Sequence, residues 1–127
     1  MDTYFVAALY LINMGKYELA AERLRGAIDT AFGDGDTDRA MMYTCVLGEL
    51  LMKMGEIYLA KEEFDKLLRY CNQTGALSEQ REIATGYLDE LDAAIQKDKK
   101  ENKHASGATP LYSDNTPNTT QTTVFLQ

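Results

Sequence analysis

Apolar residues recur along the first 97 positions in five blocks, and within each block the spacing is helical. From Thr3 to Met14 the chain reads TYFVAALYLINM, apolar almost all the way round. A helix of that kind is covered on more than one side. Gly15-Lys16 breaks it, glycine supplying the backbone conformations of a tight turn. The second block, Tyr17 to Phe32, places Tyr17, Ala20, Ala21, Leu24, Ala27, Ile28 and Ala31 on one face. Glu18, Glu22, Arg23 and Arg25 fall largely on the other, which predicts an amphipathic helix.

Gly33-Asp34-Gly35-Asp36 ends this first pair. A third helix is predicted over Asp38–Met54, with Thr37 or Asp38 as its cap through a side-chain oxygen that accepts orphan backbone N–H bonds. Gly55-Glu56 turns the chain. A fourth helix then runs to about Tyr70 with Ile57, Ala60, Phe64, Leu67 and Leu68 inward, and Thr74-Gly75 supplies a stop. Ser78 is a fitting cap for a fifth helix, SEQREIATGYLDELDAAIQK, whose Ile83, Ala84, Tyr87, Leu88, Leu91, Ala94 and Ile95 form one stripe. Glu82, Asp89, Glu90 and Asp92 lie on its other side. With one wet face and no helix after it, it reads as the terminal cap of a stack.

After Lys97 the composition turns charged and then rich in Thr, Asn, Ser and Pro. Such a segment cannot offset its ordering entropy by burial, so residues 98–127 are expected to be a disordered tail. Its closing Val124-Phe125-Leu126 is apolar, either a docking motif or a processing remnant. The expected domain is 1–97.

The strongest signal is internal repetition at an offset of forty. Ala7-Ala8 falls on Leu47-Gly48, Leu11 on Leu51, Met14-Gly15 on Met54-Gly55, and Tyr17 on Ile57. Ala20 then falls on Ala60, Leu24 on Phe64 and Ala27 on Leu67. Small residues (Ala8, Gly48) are expected where two helices cross closely, with Leu24 and Phe64 filling the space opposite. Ala20 and Ala60 let the second helix of each pair approach the first.

This layout resembles the tetratricopeptide repeat, a helix–turn–helix unit of 34 residues. The resemblance covers about residues 3 to 95, with units at about 3–34 and 41–74 and a capping helix at 78–97. It departs from the family at Tyr4 and Thr44, where a tryptophan is usual, and at Phe32 and Asn72, where a proline closes the unit. The connection between units is also expected to be six residues longer than the family's repeat. The resemblance implies an all-α fold of antiparallel helical hairpins stacked as a short right-handed solenoid with a C-terminal capping helix. It further implies a concave groove lined by the first helix of each unit. The candidate partner-binding residues are then Phe5, Leu9, Ile12 and Asn13; Met42, Cys45, Glu49, Met52 and Lys53; and Arg81 and Thr85. Chaperone-binding relatives hold a terminal carboxylate with Lys, Asn and Arg at such positions. Phe5 and Leu9 stand where that clamp needs Lys and Asn, so an apolar groove for a hydrophobic helix or peptide fits better.

Part of this set has a plainer reading, since apolar helix faces are more often core; Cys45, Val46 and Met52 are assigned mainly there. Helix one is harder to absorb. It opens the stack and still carries Phe5, Val6, Leu9, Tyr10 and Ile12, where a terminal repeat needs a polar outer face. A second copy, a partner or a missing upstream segment would cover it.

Charge narrows the partners. Residues 98–127 hold three acidic and three basic side chains, so the formal charge of -7 sits on residues 1–97. An acidic chain lacks the basic footprint of phosphate-backbone binding, which argues against nucleic acid. No run reaches the ~18–20 apolar residues of a membrane span. Tyr4–Ile12 has neither the charged start nor the cleavage site of a signal peptide, so a cytoplasmic chain is expected. Cys45 and Cys71 form no CxxC pair and read as buried reduced thiols.

Candidate chemistry is sparse. Asp34-Gly-Asp36-Thr-Asp38 resembles the start of a calcium loop, but its sixth position is Arg39 instead of Gly and its twelfth is Cys45 instead of Glu. An acidic turn with a helix cap is the better reading. The single histidine, His104, lies in the tail, which removes Ser-His, Cys-His and histidine-metal sites from the folded part. No phosphate-binding glycine loop occurs. Neither an enzyme nor a cofactor is expected. The leading expectation is a protein-interaction module, with self-association through helix one as the alternative and a small-molecule sensor as a third. Phe5→Glu with Leu9→Glu is the change expected to separate the first two.

Overall fold

The turns set the frame. A computed structural model describes residues 2–108, with side chains as far as Glu101. It contains five α-helices: α1 (Thr3–Asn13), α2 (Tyr17–Gly33), α3 (Thr37–Lys53), α4 (Ile57–Thr74) and α5 (Ser78–Ala108). No strand occurs among the described residues, and no helix among them is long and apolar enough to cross a membrane. The fold class is all-α, as the periodicity predicts. The chain divides into two units, Met1–Ala93 and Ala94–Gln127. Within the first, α1 packs on α2, α2 on α3, and α3 on α4.

The first three turns are built alike. The amides of Lys16, Asp36 and Glu56 donate to the carbonyls of Leu11, Ala31 and Leu51, each at 2.9 Å. Those of Gly15, Gly35 and Gly55 donate to Ile12, Phe32 and Met52, each at 3.0 Å. This pair of bonds is the Schellman stop, which needs a left-handed residue just past the helix end. Gly15, Gly35 and Gly55 supply it with φ of 75°, 76° and 79°. Gly75, at φ 74°, continues the twenty-residue period, but there the chain leaves differently. Leu77 also turns left-handed at φ 58°, and its carbonyl accepts from the Arg81 amide at 2.9 Å.

Several expected boundaries move. The extra length over a 34-residue repeat is not in the connection between hairpins, where only residues 34–36 separate α2 from α3. It lies in the helices, since α2 and α3 have 17 residues each and α4 has 18. The cap of α3 is Asp36, not Thr37 or Asp38, its carboxylate accepting from the Arg39 amide at 3.1 Å. Ser78 is the first residue inside α5 rather than its cap. α4 continues past Tyr70 to Thr74 because nothing before Gly75 breaks it. α5 likewise runs past Lys97 to Ala108: KDKKENK is rich in helix-forming residues and carries no glycine or proline. Of the expected tail, residues 109–127, including Val124-Phe125-Leu126, lie outside the described residues.

The core of the first unit joins Ala8, Ala20 and Leu24 with Leu47, Leu51, Ala60, Phe64 and Leu67, and reaches Ala84, Leu88 and Leu91 of α5. Its tightest crossing is that of α3 with α4. A Cβ added at Gly48 would stand 2.7 Å from the Phe64 ring. Phe64 is 0% exposed and stacks on Tyr87 with centroids 5.3 Å apart, so the ring has no room to retreat. The corresponding pair in the first hairpin is Ala8 with Leu24, both fully buried. One methyl more on one helix goes with a smaller side chain on the other, as the repeat alignment anticipates.

Polar links tie the outside. Arg39 bonds Asp34 at 3.1 Å and Asp36 at 3.6 Å, so a guanidinium engages two carboxylates of the acidic turn. Tyr70 donates to Asp38 between α4 and α3. Lys61 bridges Asp65 at 3.1 Å and Asp92 of α5 at 3.7 Å.

Gly48→Ala is expected to destabilise the fold by about 1–3 kcal/mol through overpacking, against the roughly 1 kcal/mol that alanine would add in an unconstrained helix. Adding Phe64→Leu, which copies the Ala8–Leu24 pairing, should recover part of the loss. Urea midpoints of the two variants and the wild type check both.

Candidate binding groove

A groove of about 490 Å³ is lined by Ile12 of α1, Val46, Glu49, Leu50, Met52 and Lys53 of α3, and Tyr87 of α5. Each helix contributes through its period: Val46, Glu49, Leu50 and Lys53 stand at i, i+3, i+4 and i+7 along one row of α3. Tyr87 is held from two sides. Its ring lies on Phe64, and its hydroxyl donates to Glu49 Oε2 at 3.2 Å. The charge on Glu49, then burial, raises the Tyr87 pKa, so this hydroxyl keeps its proton. A second opening of about 340 Å³ is lined by Glu49, Glu82, Ile83, Gly86, Tyr87 and Glu90. Glu49 and Tyr87 belong to both.

Of the residues expected to meet a partner, Ile12, Glu49, Met52 and Lys53 come together here. Cys45 does not. It is 4% exposed and faces the core, where burial foremost, with the nearby charge of Glu49, pushes its thiol up to about 12. Phe5 is half-buried and stacks on Tyr43 at 4.3 Å and 15°, so it holds α1 to α3. Phe5→Glu would therefore disturb the fold, and it cannot separate binding from self-pairing. Leu9 and Met42 are each 43% exposed; Asn13, Arg81 and Thr85 are exposed as well. None of these five lines the groove, and the Thr85 hydroxyl donates to the Arg81 carbonyl at 2.9 Å.

The sequence pattern assigned Val46 to the core and Tyr87 to the inward stripe of α5; both line the groove. Leu50 carries no mark of its own in the sequence, being one leucine in an apolar helix. Gly86 did leave a mark. A glycine inside a helix costs about 0.5–1 kcal/mol relative to alanine, and here nothing lies within 4 Å of where its Cβ would be. Its φ is not positive either, so neither packing nor backbone requires it.

A second apolar surface lies on α1, where Thr3, Val6, Ala7 and Tyr10 line an open hollow of about 500 Å³. Forty residues on, their counterparts are Tyr43, Val46, Leu47 and Leu50; of these, Tyr43, Leu47 and Leu50 are buried.

Cys45 and Cys71 are free and buried. Burial is the main cause that raises the Cys71 pKa too, and its Sγ contacts the Leu77 carbonyl oxygen at 3.7 Å. Among the described residues no group of three or more His, Cys, Asp or Glu is placed to hold a metal ion. No family model, no curated protein and no solved structure matches the chain.

The raised thiols, together with the raised Tyr43, Tyr70 and Tyr87, hold their protons more tightly in the folded state than in the unfolded chain. The stability they contribute is complete below the ordinary thiol pKa of 9.0 and is lost as pH rises toward about 12. Urea midpoints should stay level up to that lower value and fall beyond it. Neither thiol should react with a disulfide reagent in the native protein at neutral pH, and both should react in urea.

Proposed function

We propose that this chain is a non-enzymatic protein–protein interaction module. Its tetratricopeptide-like hairpins stack as a short right-handed solenoid, and the apolar groove on α1, α3 and α5 receives a peptide or helix of a partner protein. The observation that carries the reading is the convergence of Ile12, Val46, Leu50, Met52 and Tyr87, from three separate helices, on one open hollow. A few apolar walls with sparse polar groups make a site for a side-chain anchor, and an amphipathic segment laid into such a groove gains most of its affinity there. The acidic surface disfavours nucleic acid. The two unpaired buried thiols favour a reducing compartment, the cytoplasm.

A second reading has its own support: α1 serves self-association. Thr3–Asn13 contains no charged residue, so two copies of a chain of charge -7 could meet there without like-charge repulsion. The α3 counterparts of Thr3, Ala7 and Tyr10, which are Tyr43, Leu47 and Leu50, are buried, which supports this reading.

Peptides selected from a random library on the wild-type chain should bind Met52→Glu at least ~10-fold more weakly, since a carboxylate in that wall would be desolvated. Circular dichroism melts should show both proteins folded. If the selected peptides bind both equally, the groove is not the site. Light scattering on a sizing column tests the second reading: a dimer that becomes a monomer on Val6→Glu with Tyr10→Glu supports it, and a wild-type monomer removes it.

A further inference from the structure

We infer that the segment received by this groove is basic as well as apolar, and that its backbone crosses α5 over Gly86 with its Lys or Arg side chains directed at Glu49, Glu82 and Glu90. The inference rests on the reading of the groove as a peptide site and adds the chemistry of its occupant. The two openings share Glu49 and Tyr87 but differ in character. The first is walled by Ile12, Val46, Leu50 and Met52, which suits an apolar anchor, with Lys53 and Glu49 also in its lining. The second is rimmed by three carboxylates, and no Lys or Arg lines it.

Those carboxylates are not spent on ion pairs among the described residues. Asp34, Asp36, Asp65, Asp92 and Glu63 each have a lysine or arginine of the chain beside them. Glu82 and Glu90 form no ion pair among the described residues, and Glu49 is bonded by the neutral Tyr87 hydroxyl. A cation brought by a partner would find acceptors already in place, beside a low-dielectric apolar wall that strengthens the attraction.

Gly86 is the independent observation. It stands at i+4 from Glu82 and i−4 from Glu90, on the same row of α5. Its bare backbone faces open space in the middle of the carboxylate rim. A helix that gives up a side chain there, with no internal reason to do so, leaves room for another backbone to approach closely. Apolar wall, carboxylate rim and glycine gap thus meet at the shared Glu49 and Tyr87, and each specifies a different part of the same occupant.

The test is a phage-displayed random-peptide selection on the full chain, followed by anisotropy titration of the enriched peptides. Enriched peptides should carry an apolar anchor with Lys or Arg nearby. Glu82→Gln with Glu90→Gln should weaken them about three- to tenfold, the range of two exposed charge pairs, with the difference shrinking in high salt. Glu22→Gln with Glu62→Gln removes the same net charge elsewhere and should leave affinity unchanged. Gly86→Leu should weaken binding at least ~10-fold, as a side chain fills the gap, without lowering the melting temperature. The inference is overturned if the enriched peptides are apolar without basic residues, are indifferent to the Gln and Leu variants, and still lose affinity for Met52→Glu; the groove reading then stands. It is also overturned if the distant Gln pair has the same effect as the rim pair. If no peptide is enriched, both readings fall.

Discussion

Phe64 can lie flat beneath α3 only because residue 48 has no side chain. That one missing methyl connects the interior to the surface. The ring it admits is the platform on which Tyr87 stacks, and the Tyr87 hydroxyl in turn holds Glu49. The wall of the groove is therefore positioned by the deepest contact of the core, through a chain of van der Waals neighbours that have little freedom to move. A site built this way inherits the rigidity of the packing under it.

Helix faces were legible in the sequence and side-chain destinations less so. The offset of forty identified Gly48 and Phe64 as partners because a small–large alternation survives in the residues themselves. The concave candidates rest on the same alignment, which treats all first helices as equivalent. They are not. Cys45 and Phe5 occupy corresponding positions, and Tyr43 draws Phe5 into an aromatic stack while Cys45 sinks into the core. Helix periodicity says which way a residue points, and a neighbour of matching shape decides whether it stops at the surface.

The boundaries follow similar logic. The chain's length per repeat suggested a long connection between hairpins, since the familiar unit is shorter. The shorter period was visible all along in Gly15, Gly35, Gly55 and Gly75, each twenty residues from the next and each left-handed. Asp36 capped α3 in preference to Thr37 or Asp38 because the Schellman bonds fix where the turn ends, and only the next residue outward can then serve as cap. At α5 no such stop exists near Lys97, and helix-forming residues carry the helix on.

Three turns with the same bonds at the same interval also make the junctions interchangeable. A duplication of the forty residues from Gly15 to Gly55 would meet the old chain at a turn of unchanged geometry. The added pair of helices would then face its neighbours through surfaces already tested against each other. Growth in such a chain need not invent a new joint.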